Sequence, residues 1–447
     1  MRNAFKAYDV RGVFNEELFP EDAVRIGACC ADLIRQKACI GGDVRLSTPA
    51  IKHAFISGFL SAGFDIVDIG VAPTPVINYY GLNHKLDNVT ITGSHTAPDV
   101  NGLKFFDKLG VIYDKRLRKI EEKYLNKDFS RADLHNLGAL SYDNNALSEY
   151  ADNIVKRIKL ARKVKVVLDH GNGASCLIAA KVMESLGCEV VNVSAEPDGK
   201  FPNRDSEPRK DNLVYLQKRI IESKADFGCA FDGDADRSVF IDDKGVVLDG
   251  GIMSTFFARE ILKNNKNAYI VASVDTSSAL KKIVEDCGGS LVWCAVGMKN
   301  VEHGLLENKA MFGGEVSSHF YFNDFYPFSD GILSCAKLAQ ILSMNSAKFS
   351  DLVDSLPKFP IKHAKFNVKN HSVKFEIFNK IKDELGKEFE INTLDGLKFF
   401  LNNTDWVLVR PSNTEPVIRL TVEASNENDL KTLFERFSDK IGKFLKE

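Results

Sequence analysis

A unit of strand, polar turn, helix and second strand occurs three times in this chain, and this repetition constrains the fold more than any other feature. The three copies span residues 39–70, 165–193 and 268–294. A strand–helix–strand unit of this length is a βαβ unit, whose strands lie in parallel within an α/β layer. Because the copies start about 105 to 125 residues apart, they predict three related α/β domains with mixed, mostly parallel sheets rather than a short-period solenoid.

The pattern changes after Pro360. A strand near 364–368 precedes a helix over 373–385, three more strands follow, and an amphipathic helix ends the chain. This order predicts a smaller C-terminal α+β domain of a different type. Polar and proline-containing stretches then suggest four domains, at residues 1–143, 144–247, 248–358 and 359–447.

The composition is that of an ordinary globular protein, with 44% hydrophobic and 27% charged residues. A net charge of −2 provides no basic field, so we expect neither nucleic acid nor an anionic membrane surface as a partner. Nine cysteines without a Cys-x-x-Cys pair indicate reduced thiols rather than a disulfide framework or a zinc site. Since we find neither an apolar signal region nor a long apolar segment, we expect a cytoplasmic protein.

The stretch TGSHTAPDVNGLK, at residues 92–104, combines a candidate phosphoryl carrier with the groups that such a carrier needs. Ser94 follows a β-branched run that predicts a buried strand, and Gly93 permits a tight exit from that strand. A phosphorylated Ser94 carries about −1.5 to −2 charges near neutral pH, for which His95 and Lys104 are suitable counter-charges. The alternative interpretation is a polar turn at the end of a strand.

The strongest short motif is DGDADR, which lies between two apolar strands. Asp232, Asp234 and Asp236 stand at alternate positions on a tight loop, where three carboxylates can face one hard cation such as Mg²⁺. An EF-hand begins similarly, but it requires flanking helices and a glycine at the sixth position, where Arg237 stands here. A solvated acidic turn is the other alternative.

The segment GGEVSSH places Glu315, Ser317 and His319 at every second position. If it is extended, the three side chains share one side, which suits binding of sugar hydroxyls and proton transfer. A hydrogen-bonded loop with a structural His319 is the simpler alternative.

Two further stretches offer groups for binding phosphate. Arg11 stands beside Gly12 in an expected bend at the end of a strand, and its planar guanidinium suits phosphate, although a surface ion pair is the simpler interpretation. Arg410 follows a predicted strand and begins a candidate anion cradle, for which a capped turn is the alternative. The other residues of this cradle are Ser412, Asn413 and Thr414.

With these stretches in this order, the sequence resembles the α-D-phosphohexomutases over essentially its whole length, and within them the bacterial phosphomannomutase/phosphoglucomutase group. The motifs are residues 8–12, the Ser94 loop, the Asp232 loop, residues 314–319 and residues 410–414. The resemblance implies four domains around a central cleft, each contributing one loop. It also implies Mg²⁺-dependent interconversion of hexose 1-phosphate and hexose 6-phosphate, of mannose or glucose, through a phosphoserine and a hexose 1,6-bisphosphate.

The resemblance assigns a role to each of these residues. Ser94 is implied to be the phosphoserine and, with Asp232, Asp234 and Asp236, to bind Mg²⁺. The implied charge-stabilising cations are Arg11, Lys104 and Arg237. The candidates for proton transfer are His95, Lys104 and His319, in an order that stays open. The residues implied to bind the sugar phosphate are Tyr8, Glu315, Ser317, His319, Arg410, Ser412, Asn413 and Thr414.

The sequence departs from the family pattern at five positions. Thr96 and Ala97 stand where the family commonly has Asn-Pro, and Met298 stands where a histidine is frequent. Val316 and Ser318 replace the more usual Met and Gly or Ala. Phosphoglucosamine mutases usually have Gln at the position of Val316. These departures bear on rate and substrate choice more than on the type of reaction.

Three other interpretations stay open. A phosphoglucosamine mutase is the alternative enzyme, a sugar-phosphate binding protein without catalysis is the alternative of another class, and a structural calcium module is the weakest. Ser94 and the three aspartates favour an enzyme, because binding alone needs no nucleophile beside a metal loop. We expect a monomer or a homodimer with sugar phosphates as its small-molecule partners.

Overall fold

The computed structural model describes residues 4–369, 371–385, 387–411 and 416–446. The chain forms two units, one from residues 1–250 and 317–352 and the other from residues 251–316 and 353–447. In the described part of the chain, no helix combines the length and the apolar character needed to cross a membrane.

The first unit begins with a six-stranded mixed sheet in the order β1-β5-β4-β2-β3-β6. Its elements are β1 (Val10–Val13), α1 (Pro20–Ile34), β2 (Ala38–Gly42), α2 (Thr48–Ser61), β3 (Ile66–Val71), α3 (Thr74–His84), β4 (Asp87–Ile91), β5 (Val100–Phe106), α4 (Lys115–Asn126) and β6 (Leu140–Tyr142). Strand β2 is parallel to both β3 and β4, which confirms the first predicted βαβ unit. Strand β5 is antiparallel to β4 and to β1, so the sheet is mixed.

Helices α1 and α2 pack closely over this sheet because one glycine of each helix faces the backbone of the other helix. A Cβ on Gly58 would lie 1.8 Å from Val24 O, and a Cβ on Gly27 would lie 2.2 Å from Phe55 O. The close packing buries a core that includes Ile40 and Phe55, neither of which is exposed. Burial of this apolar face, more than helix propensity, holds the two helices in place.

The second sheet has the order β11-β10-β9-β7-β8. Its segment contains α5 (Ala146–Arg157), β7 (Lys165–Asp169), α6 (Ala179–Ser185), β8 (Glu189–Val193), α7 (Val214–Ser223), β9 (Phe227–Phe231), β10 (Ser238–Ile241) and β11 (Val247–Leu248). Strands β8 and β9 are parallel to β7, and β10 is antiparallel to β9. The single helix expected in the second repeat is instead a short 3-10 turn followed by α6, since Ile178 leaves the helical region with a φ of −148°.

The third α/β segment lies mostly in the second unit. Its elements are α8 (Gly250–Leu262), β12 (Tyr269–Ser273), α9 (Ser278–Asp286), β13 (Ser290–Cys294), α10 (Met298–Asn308) and β14 (Phe312–Gly314). Strand β12 is parallel to β13 and to β14. Ser277 caps α9 by accepting a hydrogen bond from Ala279 N. The chain then returns to the first unit with β15 (Phe320–Phe322) and α11 (Gly331–Ser343), and α12 (Phe349–Asp354) leads into the second unit.

The last segment is an antiparallel sheet in the order β16-β20-β19-β18-β17, with two helices. Its elements are β16 (Ile361–Asn367), α13 (His371–Leu385), β17 (Glu390–Asn392), β18 (Leu397–Phe400), β19 (Trp406–Pro411), β20 (Val417–Glu423) and α14 (Glu427–Lys446). The sequence predicts all of these except β17, an edge strand of only three residues. Three mixed α/β segments and a different C-terminal α+β domain are therefore confirmed.

Candidate active site

Ser94 lies just beyond the end of β4 and is buried. Its backbone is left-handed, with a φ of 51°. Its N–H donates to Thr92 Oγ1 at 2.7 Å, and its own Oγ donates to Asp232 Oδ2 at 3.1 Å. The hydroxyl of the candidate carrier therefore faces the aspartate loop.

Gly93 serves this turn differently from the way that we expected. The left-handed residue is Ser94, whereas Gly93 lies outside the left-handed region. A Cβ on Gly93 would lie 2.5 Å from Val100 O and 2.6 Å from Arg45 Cζ. The tight exit from the strand is present, and glycine is needed there because the chain passes very close to its neighbours rather than because of a left-handed φ.

The aspartate loop connects the antiparallel strands β9 and β10. Ala235 adopts a left-handed conformation with a φ of 60°, which folds the loop back on itself. Asp232, Asp234 and Asp236 are buried, and one carboxylate oxygen from each lies within 4.8 Å of the others. The predicted convergence of three carboxylates is thus present.

The donor set fits a hard divalent cation. Lys104 Nζ donates to Asp234 Oδ2 at 2.9 Å and to Asp236 Oδ2 at 2.7 Å, and Thr74 Oγ1 donates to Asp234 Oδ2 at 2.6 Å. Among the described residues, no donor forms a hydrogen bond with the buried Oδ1 of Asp234 or of Asp236, although His319 Nε2 lies 3.5 Å from the latter. Unpaired buried carboxylate oxygens are costly, and Mg²⁺ prefers such oxygen ligands.

The charges of this cluster act strongly on one another. Burial, with the nearby Asp236 and Asp234, raises the pKa of Asp232 well above its usual range. Burial also lowers the pKa of Lys104, but Asp234 and Asp236 more than reverse this, so that its pKa is raised. Lys104 pairs with two of the carboxylates, and Arg237 Nε lies 3.9 Å from Asp232 Oδ2 and 4.0 Å from Asp236 Oδ1. The raised pKa of Asp232 shows that three carboxylates repel one another here, and a bound divalent cation would offset that repulsion.

Arg11 and Lys104 reach the site from neighbouring strands. We expected Arg11 in a bend, but it lies inside β1, where it pairs with Gly102 of β5, and Lys104 follows on the same strand. The bend was wrong because antiparallel pairing with β5 keeps β1 extended through Gly12. Arg11 Nη2 lies 2.5 Å from Asp9 Oδ2.

Arg237 connects the two histidines of the site. Its Nη2 is 2.9 Å from His95 Nδ1, and its Nε donates to His319 Nε2 at 3.3 Å. The other ring nitrogen of His319, Nδ1, lies 2.9 Å from Ser317 Oγ. Burial, then Arg237 and Arg11, lowers the pKa of His95 to about 2, so His95 is a neutral hydrogen-bond acceptor beside Ser94 and not the counter-charge that we expected.

In the second unit, Val296 and Gly297 use their backbone N–H groups to position two candidate ligands, Glu315 directly and Arg410 through Asp395. Glu315 Oε1 accepts from Gly297 N at 2.9 Å. Asp395 accepts from Val296 N at 3.1 Å and from Arg410 Nε at 2.9 Å. The turn directly before Met298 therefore fixes a candidate sugar ligand, Glu315, and through Asp395 a candidate phosphate ligand, Arg410.

The remaining predicted residues have different outcomes. Ser318 is left-handed, with a φ of 68°, so the segment from Glu315 to His319 is not extended and the every-second-residue argument was wrong. Tyr8 is half-buried just before β1. Three members of the proposed phosphate cradle lie outside the described residues: Ser412, Asn413 and Thr414.

Sequence reasoning missed several residues that support the site. Thr74 donates to Asp234 from the start of α3. Arg45 donates to Ser94 O at 2.8 Å, and Arg204 donates to Phe231 O, directly before Asp232, at 2.7 Å. The first predicted βα turn contains Arg45, so a search for charged residues at strand ends would have found it. No local pattern distinguishes Thr74 or Arg204.

Four family models match successive parts of the chain. They describe the α/β/α domains I, II and III of phosphoglucomutase/phosphomannomutase, at residues 2–131, 148–245 and 249–359, and the C-terminal domain, at residues 365–440.

Individual proteins are similar over almost the whole length. A phosphoglucomutase/phosphomannomutase of Thermococcus kodakarensis is 35% identical, with 97% of each chain covered. A phosphoglucosamine mutase of Methanocaldococcus jannaschii is 32% identical, with 96% of this chain and 97% of the relative covered. The crystal structure of a phosphoglucomutase/phosphomannomutase family protein from Burkholderia thailandensis has a TM-score of 0.91 at 29% identity, with 99% of this chain and 98% of that chain covered. The chain therefore belongs to the phosphoglucomutase/phosphomannomutase family of the α-D-phosphohexomutases and is a phosphohexomutase.

Proposed function

We propose that this enzyme interconverts the 1-phosphate and 6-phosphate of mannose, glucose or both, with Ser94 as the phosphoryl carrier. The contact between Ser94 Oγ and Asp232 Oδ2, at 3.1 Å, carries this proposal. It places a buried hydroxyl against a carboxylate cluster that has two oxygens open to a cation. An ordinary polar turn needs neither feature.

Phosphoserine 94 first passes its phosphoryl group to the free hydroxyl of a bound hexose phosphate. The bond between phosphorus and Ser94 Oγ breaks and a bond between phosphorus and the sugar oxygen forms. The sugar hydroxyl gives its proton to a protein group, and Ser94 Oγ takes up a proton to become a hydroxyl. The product is a hexose 1,6-bisphosphate. This bisphosphate reorients within the site and returns its other phosphoryl group to Ser94. His95, Lys104 and His319 are the candidate groups for the proton transfers.

Asp232, Asp234, Asp236 and Ser94 would hold Mg²⁺, which offsets charge on the transferred phosphoryl group when it is bound. The chain's own cations act beside it. Lys104 lies between Asp234 and Asp236, and Arg237 lies against His95. Fixed cations of this kind stabilise a phosphoryl-transfer transition state through position and charge.

We further propose that the sugar and its second phosphate are bound by the other predicted loops. Tyr8, Arg11 and Ser317 belong to the first unit, and Glu315 and Arg410 to the second. The contact between Asp395 and Arg410 Nε fixes one edge of that guanidinium. With the remaining cradle residues, Ser412, Asn413 and Thr414, Arg410 would bind the phosphate that is not being transferred. We also propose that the chain divides into four domains, at residues 1–143, 144–247, 248–358 and 359–447.

The decisive experiment is intact mass and peptide mapping after incubation with glucose 1,6-bisphosphate and Mg²⁺. We expect one phosphate on Ser94, which is lost when excess hexose monophosphate is added. Ser94→Ala should carry none, whereas Ser148→Ala, which removes an exposed hydroxyl from α5, should be labelled like the wild type. A wild type that is never labelled on Ser94 would contradict the carrier and favour a sugar-phosphate binding protein.

Phosphoglucosamine mutase is the second candidate, because the Methanocaldococcus jannaschii relative has that name. Val316 is 39% exposed in the proposed sugar loop, and its side chain offers no hydrogen bond to an amino group. We therefore favour mannose and glucose. Comparison of kcat/KM for the 1-phosphates of mannose, glucose and glucosamine tests this choice, and a preference for glucosamine would reverse it.

A further inference from the structure

Arg45, at the start of the turn after β2, is almost completely buried. A guanidinium has five N–H donors, and here each of them faces an acceptor. Nε donates to the carboxylate of Asp43, and the other four donors bind main-chain carbonyls of the loop after β4. Nε donates to Asp43 Oδ2 at 3.1 Å. Nη1 donates to Val100 O at 3.0 Å and also to Ala97 O. Nη2 donates to Ser94 O at 2.8 Å and to Thr96 O at 2.7 Å.

Asp43 fixes the guanidinium to the sheet. Its carboxylate also accepts from Thr48 Oγ1 at 2.8 Å, Thr92 Oγ1 at 2.8 Å and Gly93 N at 3.3 Å. The same Thr92 Oγ1 accepts from Ser94 N at 2.7 Å. The Asp43–Arg45 pair therefore contacts the strand end, the turn and the loop on both sides of Ser94.

The loop is also covered from the second α/β segment. The ring centroid of Phe201 lies 5.0 Å from Arg45 Cζ, and Ser206 Oγ donates to Thr96 O at 2.7 Å. These contacts keep water from the guanidinium. In such a site, loss of the donors would leave several buried carbonyls unpaired, which is costly.

The conformation of Ser94 explains why the loop needs the contacts of Asp43 and Arg45. A serine with a φ of 51° is in a sparsely populated region, and surrounding structure must hold it there. This conformation turns the Ser94 carbonyl inward, where its oxygen accepts a hydrogen bond from Arg45 Nη2. With its carbonyl fixed on one side, Ser94 directs its Oγ to Asp232 on the other.

We propose that Arg45 is a positioning residue for phosphoryl transfer, which holds Ser94 in its left-handed conformation without contacting the substrate. This inference rests on Ser94 being the carrier. It requires a planar fork with five donors, so lysine, with three donors on a point charge, cannot replace Arg45.

The test is the single-turnover rate of Ser94 phosphorylation by glucose 1,6-bisphosphate with Mg²⁺, followed by quenched intact mass. For Arg45→Lys we expect a rate about 100-fold slower at saturating bisphosphate, with an unchanged half-saturating concentration, because misplacement by about 1 Å has this effect. Arg45→Ala should be slower still, and added guanidinium should accelerate it about tenfold, whereas methylammonium should not.

Lys52→Met is the matched control, since it removes a buried cation of the same domain that pairs with Asp68 at 2.8 Å and lies outside the Ser94 loop. It should lower the unfolding temperature but keep the phosphorylation rate within about twofold of the wild type. If the Arg45 variants do not fold, Asp43→Asn tests the inference instead, because it keeps the shape of the Asp43 side chain and removes the charge that orients Arg45. A slower rate supports the inference, and an unchanged rate overturns it.

The outcomes separate the two proposals. No phosphate on Ser94 in the wild type would overturn the proposed function. A labelled wild type with Arg45→Lys reacting at the same rate would overturn only the positioning role. Equal slowing in Arg45→Lys and Lys52→Met, or no rescue of Arg45→Ala by guanidinium, would also overturn it, because the effect would then reflect stability alone.

Discussion

Two lysines of this enzyme are almost equally buried but lie in opposite surroundings. Lys104, on β5 of the first unit, is 3% exposed and contacts Asp234 and Asp236. Lys398, on β18 of the second unit, is 1% exposed and donates to a main-chain carbonyl, Val274 O, at 2.7 Å. Its Nζ lies 3.9 Å from the ring centroid of Trp406.

The difference shows that partners, not depth, decide the charge of a buried lysine. Burial lowers the pKa of both, but two carboxylates reverse this at Lys104. At Lys398 burial dominates and lowers the pKa from 10.5 to about 7, although Glu423 and Asp275 raise it and Lys281 lowers it further. Lys104 is thus a fixed cation beside the proposed chemistry, whereas Lys398 changes charge near neutral pH.

Lys104→Met should have the largest effect. We expect kcat to fall about 1000-fold, since a preorganised charge at the transferred phosphoryl group is lost. Mg²⁺ should bind more tightly at the same time, because the carboxylates lose their lysine. Steady-state kinetics and calorimetric Mg²⁺ titration measure the two effects.

Lys398→Met is the matched control, because it removes an equally buried lysine that forms no ion pair with a carboxylate in the described part of the chain. It should retain kcat within about threefold of the wild type. Equal losses in both variants would show that burial of a lysine, rather than its pairing with Asp234 and Asp236, matters for turnover.

Asp234→Asn should have the second largest effect. It keeps the volume but removes one charge from the cation site and weakens the partner of Lys104, so we expect about 100-fold lower activity and weaker binding of Mg²⁺. Asp226→Asn, in the turn before β9, is the control, since the described contacts of that carboxylate are a hydrogen bond from Lys165 N and an ion pair with Arg162. An unchanged Mg²⁺ titration in Asp234→Asn would contradict the metal site.

The sequence predicts the fold well because the signals that decide it are local. Periodicity and turn residues define each βαβ unit, and β2, α2 and β3 lie where they were expected. It fails where tertiary pairing decides. Arg11 lies in a strand because β5 pairs with β1. β17 is too short to show a pattern of its own.

The residues of the candidate site also fall into two groups, those that the sequence predicts and those that it does not. Ser94 and Asp232 carry their chemistry in short motifs, so they are recognisable one loop at a time. Arg45 is 49 residues from Ser94 in the chain, and Lys398 is 124 residues from Val274, its carbonyl acceptor. Only the folded chain brings such partners together, and no local pattern distinguishes a paired buried lysine from an unpaired one.

The stability of the second unit should depend on pH through Lys398. The unfolded chain keeps this proton up to about pH 10.5, but the folded chain keeps it only up to about pH 7. Between these values the unfolded state binds more protons, so the free energy of unfolding should rise with pH. Lys398→Met should remove this rise, which is roughly 5 kcal/mol at about 1.4 kcal/mol per pKa unit, and should be most stabilising below pH 7.

Urea unfolding at several pH values, followed by tryptophan fluorescence, measures this effect. The chain has two tryptophans, and both Trp293 and Trp406 lie against Lys398 Nζ. Lys382→Met, which removes a lysine from α13 without changing this cluster, should follow the wild type. Parallel curves for the wild type and Lys398→Met would show that Lys398 keeps its proton to high pH.

Glu423→Gln should have the smallest effect, and it tests the electrostatic part of the comparison directly. Glu423 Oε1 accepts from Trp406 Nε1 at 2.7 Å and from Ser278 N at 2.8 Å, and both bonds can be kept by the amide oxygen of glutamine. Glu423 raises the pKa of Lys398, so loss of its charge should lower the midpoint of the tryptophan fluorescence titration by about 0.5 to 1 pH unit. A midpoint that does not move would mean that the aromatic rings and Val274 O set the charge of Lys398, and that a nearby carboxylate affects a buried lysine only through direct contact, as at Lys104.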